Sequence, residues 1–202
     1  MKITDIKQQV RQKDRFSVFI SGKYAFSLSR TQLQDSVLKI GSELSPSELK
    51  DWQKQSTQGK LLDKALRWLA IRPRSTWELQ DYLRRNQVDK AEAKVVIDKI
   101  MSYGYIDDLK FAQSWVGSRR ALKAVSIRRL RQELAQKHVA SEIIKQVLAE
   151  DQTDELTVLR ELIERKQHQS RYADKEKLIA YLARQGFSYS DIKEALASSD
   201  SE

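Results

Sequence analysis

Apolar positions alternate twice near the start of the chain, in FSVFISGKYAFSL. Phe16, Val18 and Ile20 recur at every second position, Ser21-Gly22-Lys23 intervenes, and Tyr24, Phe26 and Leu28 resume the alternation. A period of two is that of a strand with one covered face, and the glycine-containing break predicts a β-hairpin with a three-residue loop. Pairing Ile20 with Tyr24, Val18 with Phe26 and Phe16 with Leu28 puts all six side chains on one face. ITDIKQQVR, residues 3–11, can add a third strand. Next, Ser45-Pro46-Ser47-Glu48 supplies an N-cap, a proline at the first helical position and a glutamate three residues after the cap. A short helix is therefore expected from about Pro46 to Gln55, with Gln55-Ser56-Thr57-Gln58-Gly59 as a polar linker.

After Gly59 the period lengthens and the chain repeats itself. Leu62, Ala65, Leu66 and Leu69 mark one helical face, Arg72-Pro73-Arg74 ends it, and Ser75 with Glu78 forms a capping box for the next helix. That second helix buries Leu79, Tyr82 and Leu83, and a third carries Ala93, Val96, Ile97 and Ile100. Residues 75–88 then align with 126–139 and with 174–187. Leu79, Leu130 and Leu178 correspond, as do Leu83, Leu134 and Leu182, then Val88, Val139 and Phe187, then Ala93, Ile144 and Ile192, at separations of 51 and 48 residues. Three units of three helices each follow from this period. The fold expected is mainly α: three tandem three-helix repeats in an elongated array, preceded by a small N-terminal β-hairpin or three-stranded sheet. The expected boundaries are 1–58, 59–108, 109–155 and 156–202.

YGYIDDLKFAQSW, residues 103–115, holds two adjacent carboxylates where an enzyme could place acid–base or metal chemistry. No histidine or third carboxylate accompanies them locally. Gly104 suits a left-handed helix end, and Asp107 or Asp108 suits the cap of the helix that follows. The pair reads as punctuation between repeats.

GYIDDLKFAQSWVGSRR, followed by SIRRLRQELAQKHV, resembles the RecX regulatory proteins, from Lys60 through the third repeat. Their repeats carry a Gly-aromatic-aliphatic-Asp-Asp, basic, Phe-Ala signature and then a basic helix, and the N-terminal hairpin resembles an extension that some members carry. Two departures stand out: His138 where a glycine is usual, and Lys123-Ala124-Val125 where glycines often precede the second helix. The resemblance implies a non-catalytic protein that binds along the groove of the RecA filament on single-stranded DNA. It also implies restraint of RecA's ATP hydrolysis, strand exchange and co-protease activity.

Charge sharpens this picture. The 202-residue chain has a net charge of +9 and a pI near 9.6, which suits a polyanionic partner. Between Leu109 and Lys137 stand Lys110, Arg119, Arg120, Lys123, Arg128, Arg129, Arg131 and Lys137 against the single anion Glu133. This segment is the candidate surface for RecA or for DNA phosphates, the alternative being a solvated helix face. On the helical wheel Arg129 points away from the buried stripe, Arg128 sideways, and Arg131 borders the core.

Other features narrow the class. Cysteine is absent, which removes disulfides and thiolate chemistry. No apolar run approaches the roughly 20 residues of a membrane span, and no signal-peptide core is present, so a cytoplasmic protein is expected. Trp68, Trp77 and Trp115 read as packing residues rather than base-stacking platforms, with Trp52 left open. His138 and His168 are isolated, no phosphate loop exists, and no nucleophile has a base at a recognisable spacing. The expectation is a monomeric regulator with no metal and no cofactor, whose partner is the RecA filament, with single- or double-stranded DNA as a further partner. Two other classes stay open. A DNA-binding protein would use SIRRLRQEL as the reading helix of a helix-turn-helix, and a helical-repeat scaffold would serve another protein.

Overall fold

Three short strands, β1 (Ile3–Gln8), β2 (Arg15–Ile20) and β3 (Lys23–Ser29), form an antiparallel sheet in chain order in the computed structural model, which describes residues 1–199. Phe16 pairs with Leu28 and Val18 with Phe26, as the alternation predicts. A bulge between Val18 and Phe19 then shifts the register, so that Phe19 faces Tyr24 and Ile20 faces Lys23. The loop is consequently two residues long. Ser21 and Gly22 take φ of 49° and 76°, the left-handed pair that a tight hairpin matching strand twist requires. The bulge also turns Tyr24 off the covered face, leaving it 51% exposed while Val18, Ile20, Phe26 and Leu28 are buried. Trp52 stacks on Phe26 and completes this small core.

Helix α1 (Arg30–Asp35) starts from a capping box between Ser29 and Gln32. Helix α2 (Pro46–Leu69) then runs unbroken for 24 residues from the Ser45–Glu48 capping box. The expected linker does not exist, and the boundary expected at residue 58 falls inside this helix. Its residues are polar because they bond to the sheet. The Ser56 hydroxyl accepts from the Ser27 amide at 3.0 Å, and Asp63 pairs with Arg15, a guanidinium only 2% exposed that also donates to the Ser27 carbonyl. At Gly59 an added Cβ would lie 2.8 Å from the Gln32 side chain, so a residue that reads as a breaker serves close packing instead. Residues 1–71 group with Gln87–Ser102, which contains α4 (Lys90–Ser102); α4 packs on α2 and buries Val96, Ile97 and Ile100.

The second unit contains Arg72–Asn86 and the chain from Tyr103 onward. Its helices are α3 (Thr76–Arg85), α5 (Asp108–Leu122), α6 (Ile127–Gln136), α7 (Ser141–Glu150), α8 (Glu155–Gln167), α9 (Lys175–Arg184) and α10 (Tyr189–Ser199), with a 3-10 turn at Ser170–Tyr172. Residues 200–202, part of the third expected repeat, lie outside the described residues. Two cores follow the repeat. Leu130, Leu134, Val139 and Ile144 lie in one, and their counterparts Leu178, Leu182, Phe187 and Ile192 in the other, all buried. In the second and third repeats the first and third helices pack on one another and the second helix packs against both.

The second helices are joined by bonds that recur with the repeat. The Ser75 hydroxyl donates to the Lys137 carbonyl and the Ser126 hydroxyl to the Gln185 carbonyl, at 2.8 and 3.0 Å. The Thr76 amide donates to Asp108 and the Ile127 amide to Glu155, at 2.7 and 3.0 Å. Left-handed residues follow all three second helices: Gln87, His138 and Gly186, with φ of 57°, 54° and 95°.

Candidate functional site

Helix α5 begins where the two aspartates stand. Asp107 accepts from the amides of Leu109 and Lys110 at 2.9 and 3.1 Å and so caps its own helix. Asp108 instead reaches the first amide of α3. Both carboxylates are consumed by helix ends.

The eight cations of the basic segment divide into two sets. Glu133 gathers one group: it accepts from Trp115 Nε1 at 3.0 Å, Arg119 Nε at 2.6 Å and Arg129 Nε at 3.3 Å. Burial alone would raise its carboxyl, yet the bonds from Arg119 and Trp115 and the Arg119 charge hold it below the usual range. Glu78 gathers another, pairing with Arg72 and Lys137, each at 2.9 Å. Against the opposing effect of burial, these bonds and the Ser75 amide lower Glu78 to about 2. Arg120 is 11% exposed, locked onto Asp151 at 2.7 Å and onto the Val125 carbonyl at 2.7 Å. Lys110 stays at the surface with Asp107 at 3.8 Å.

Lys123, Arg128 and Arg131 form the other set. All three are exposed, and among the described residues none has a carboxylate at ion-pair distance. The wheel misjudges two positions. Arg131 is exposed rather than bordering the core, and Arg129 is half-buried because the Gln185–Gly186 turn lies against the first turn of α6. That cover also occupies the end of α6 with which a helix-turn-helix would read bases.

Trp115, Arg119 and Lys137 converge on a groove of about 360 Å³. The Arg119 guanidinium lies 4.5 Å and the Lys137 ammonium 5.2 Å from the Trp115 ring centre. Arg72 and Pro73 form a wall beside Phe111 and Leu122. Charge counting finds Arg119 and Lys137. It misses Arg72, Trp115 and Leu122, which the fold brings in from a turn before α3 and from the length of α5. Trp77, read as a packing residue, packs against the next repeat: it is 37% exposed and stacks on His138 at 4.0 Å. A second cationic cluster also goes unnoticed in the sequence. Arg165, Lys166 and Arg171 lack carboxylate partners among the described residues, and Lys166 and Arg171 lie over Tyr172.

Four family models match along the chain. Residues 1–45 match the regulatory protein RecX N-terminal domain, and residues 62–99, 107–148 and 153–196 match the first, second and third three-helix domains of RecX. A regulatory protein RecX from Listeria monocytogenes serotype 4b (strain F2365) is 30% identical over 207 residues, spanning 100% of this chain and 77% of the relative. One from Bacillus pumilus is 29% identical over 199 residues, spanning 96% and 76%. A crystal structure of regulatory protein RecX superposes with a TM-score of 0.74 at 23% identity, over 96% of this chain and 98% of that one. RecX from Lactobacillus salivarius superposes with a TM-score of 0.59 at 22% identity, over 72% and 97%. At such identities the two structures speak to the fold alone.

Proposed function

This chain belongs to the RecX family of regulatory proteins, and we propose that it binds the RecA filament on single-stranded DNA and restrains it. Its effect would fall on ATP hydrolysis, strand exchange and co-protease activity, and so on recombination, DNA repair and the SOS response. The protein acts by binding, as a monomer, in the cytoplasm where RecA works. Among the described residues no helix is long and apolar enough to cross a membrane.

The observation that carries this reading is the set Lys123, Arg128 and Arg131, exposed and unpaired within a stretch, residues 118–132, that contains no acidic residue. Cations already neutralised by their own fold, as Arg120 is by Asp151, add little long-range attraction. Unpaired ones attract a filament that exposes phosphates or carboxylates, and phosphate contacts add affinity without reading sequence. The test is ATP hydrolysis by RecA on single-stranded DNA with this protein titrated in. Falling hydrolysis supports the proposal; an unchanged rate with no binding to the filament rejects it.

A further inference from the structure

We propose that the groove beside α5 receives a protein segment carrying an apolar side chain next to a carboxylate, and that a subunit of the bound filament supplies it. The inference rests on the function proposed above, which names that partner.

Helix α5 presents two faces. Ala112, Val116 and Phe111, the last 4% exposed, lie in the core, and Trp115 packs against it. A second stripe, Phe111, Ser114, Trp115, Ser118, Arg119 and Leu122, recurs at helical spacing and lines the groove. On this stripe Leu122 is 79% exposed at the end of the helix. Ser114 and Ser118 are exposed and short, so a second chain can approach the helix closely. The stripe spans about 16 Å along the axis, room for a short extended segment or about three turns of helix.

Charge decides what fits. Arg72, Arg119 and Lys137 stand around the apolar floor, each fixed in place by Glu78 or Glu133. Arg119 uses Nε for Glu133, which leaves its terminal nitrogens for an incoming carboxylate. A nucleobase fits poorly, because the Trp115 ring already has two cations over it and its N–H is bonded to Glu133. Pro73, Phe111 and Leu122 offer a phosphate nothing. An apolar floor inside a charged rim is instead the anatomy of a protein-binding pocket.

Leu122→Asp places a like charge where the incoming carboxylate must come, and Ser118→Trp fills the groove. Each full-length variant is measured by anisotropy against the RecA filament and against single-stranded DNA alone, with circular dichroism as the check on folding. Folded variants that lose filament affinity by about tenfold or more, with DNA affinity unchanged, are the expected result. Unchanged filament affinity in both folded variants overturns the groove while leaving the proposed function intact. An equal loss toward DNA alone also overturns it, since the groove would then hold nucleic acid. If the unmodified protein fails to bind the filament, the proposed function falls and this inference with it.

Discussion

The Ser75 hydroxyl donates to the backbone carbonyl of Lys137, 62 residues further along the chain, at 2.8 Å. The same oxygen accepts from the Glu78 amide in the first turn of its own helix. Ser126 repeats both contacts, donating to Gln185 and accepting from the Arg129 amide. Both serines are fully buried. A helix cap therefore doubles as the joint between successive second helices, and neither hydroxyl group has hydrogen-bonding capacity to waste in a dry site.

Ser75→Ala and Ser126→Ala should each destabilise the protein by about 1–2 kcal/mol, since each removes a cap and a hydroxyl bond to a carbonyl of the next second helix. Chemical denaturation measures this. Two variants as stable as the unmodified chain would mean that the joints carry no energy.

Gly186→Ala should be worse than either. Its φ of 95° disfavours any side chain, and the added Cβ would lie 2.3 Å from Ser126 Oγ and 3.1 Å from the Arg129 amide nitrogen. A loss of about 2–4 kcal/mol is expected. At the matching position His138 keeps its side chain stacked on Trp77, so His138→Gly should change stability far less. Thermal unfolding of the pair gives the comparison; equal losses would contradict it.

Glu78 should make stability depend on acid pH. Its carboxyl sits at about 2 in the folded chain against an ordinary 4.5. A depressed folded value means that its contribution is complete above pH 4.5 and is lost as pH falls through about 2. Discounted for the partly exposed Arg72 partner, this is about 2 kcal/mol. The stability difference between the unmodified protein and Glu78→Gln should therefore shrink across that window. A difference that stays constant from neutral pH to pH 2 would show that Glu78 is not held ionised by Arg72 and Lys137.

Arg120 and Arg128 should separate structure from binding. Arg120→Glu sets a second carboxylate against buried Asp151 and should cost about 3–5 kcal/mol. Arg128→Glu, on an exposed side chain, should stay within about 0.5 kcal/mol. Equilibrium unfolding distinguishes them, and similar costs would refute the division of the basic segment.

What the sequence made legible was mostly local or periodic. The Ser75–Glu78 capping box, the Asp107 cap and the left-handed Gly104 depend on near neighbours, and Leu130 and Leu178 are buried where the repeat predicts. The failures need distant partners. Ser56 and Gly59 read as a linker because nothing local shows that Ser27 and Gln32 will lie against them. The bulge at Phe19 is invisible to a strict alternation, and it moved Tyr24 to the surface. Arg129 looked outward because a single-helix wheel omits the turn at Gly186. Of the basic segment, composition identified every cation, but separating Lys123, Arg128 and Arg131 from those paired with Glu78, Glu133 or Asp151 required three-dimensional contacts.

Those three residues bear the central claim, and one measurement tests it: RecA ATP hydrolysis on single-stranded DNA, titrated in parallel with the unmodified protein and with a Lys123→Glu, Arg128→Glu, Arg131→Glu variant. Because none of the three is paired within the described fold, the variant should keep its circular dichroism and unfolding midpoint. The account predicts that the unmodified protein lowers hydrolysis and that the variant needs at least about tenfold more protein for the same effect, with the gap narrowing as salt rises. A folded variant that inhibits at the concentration of the unmodified protein would contradict it.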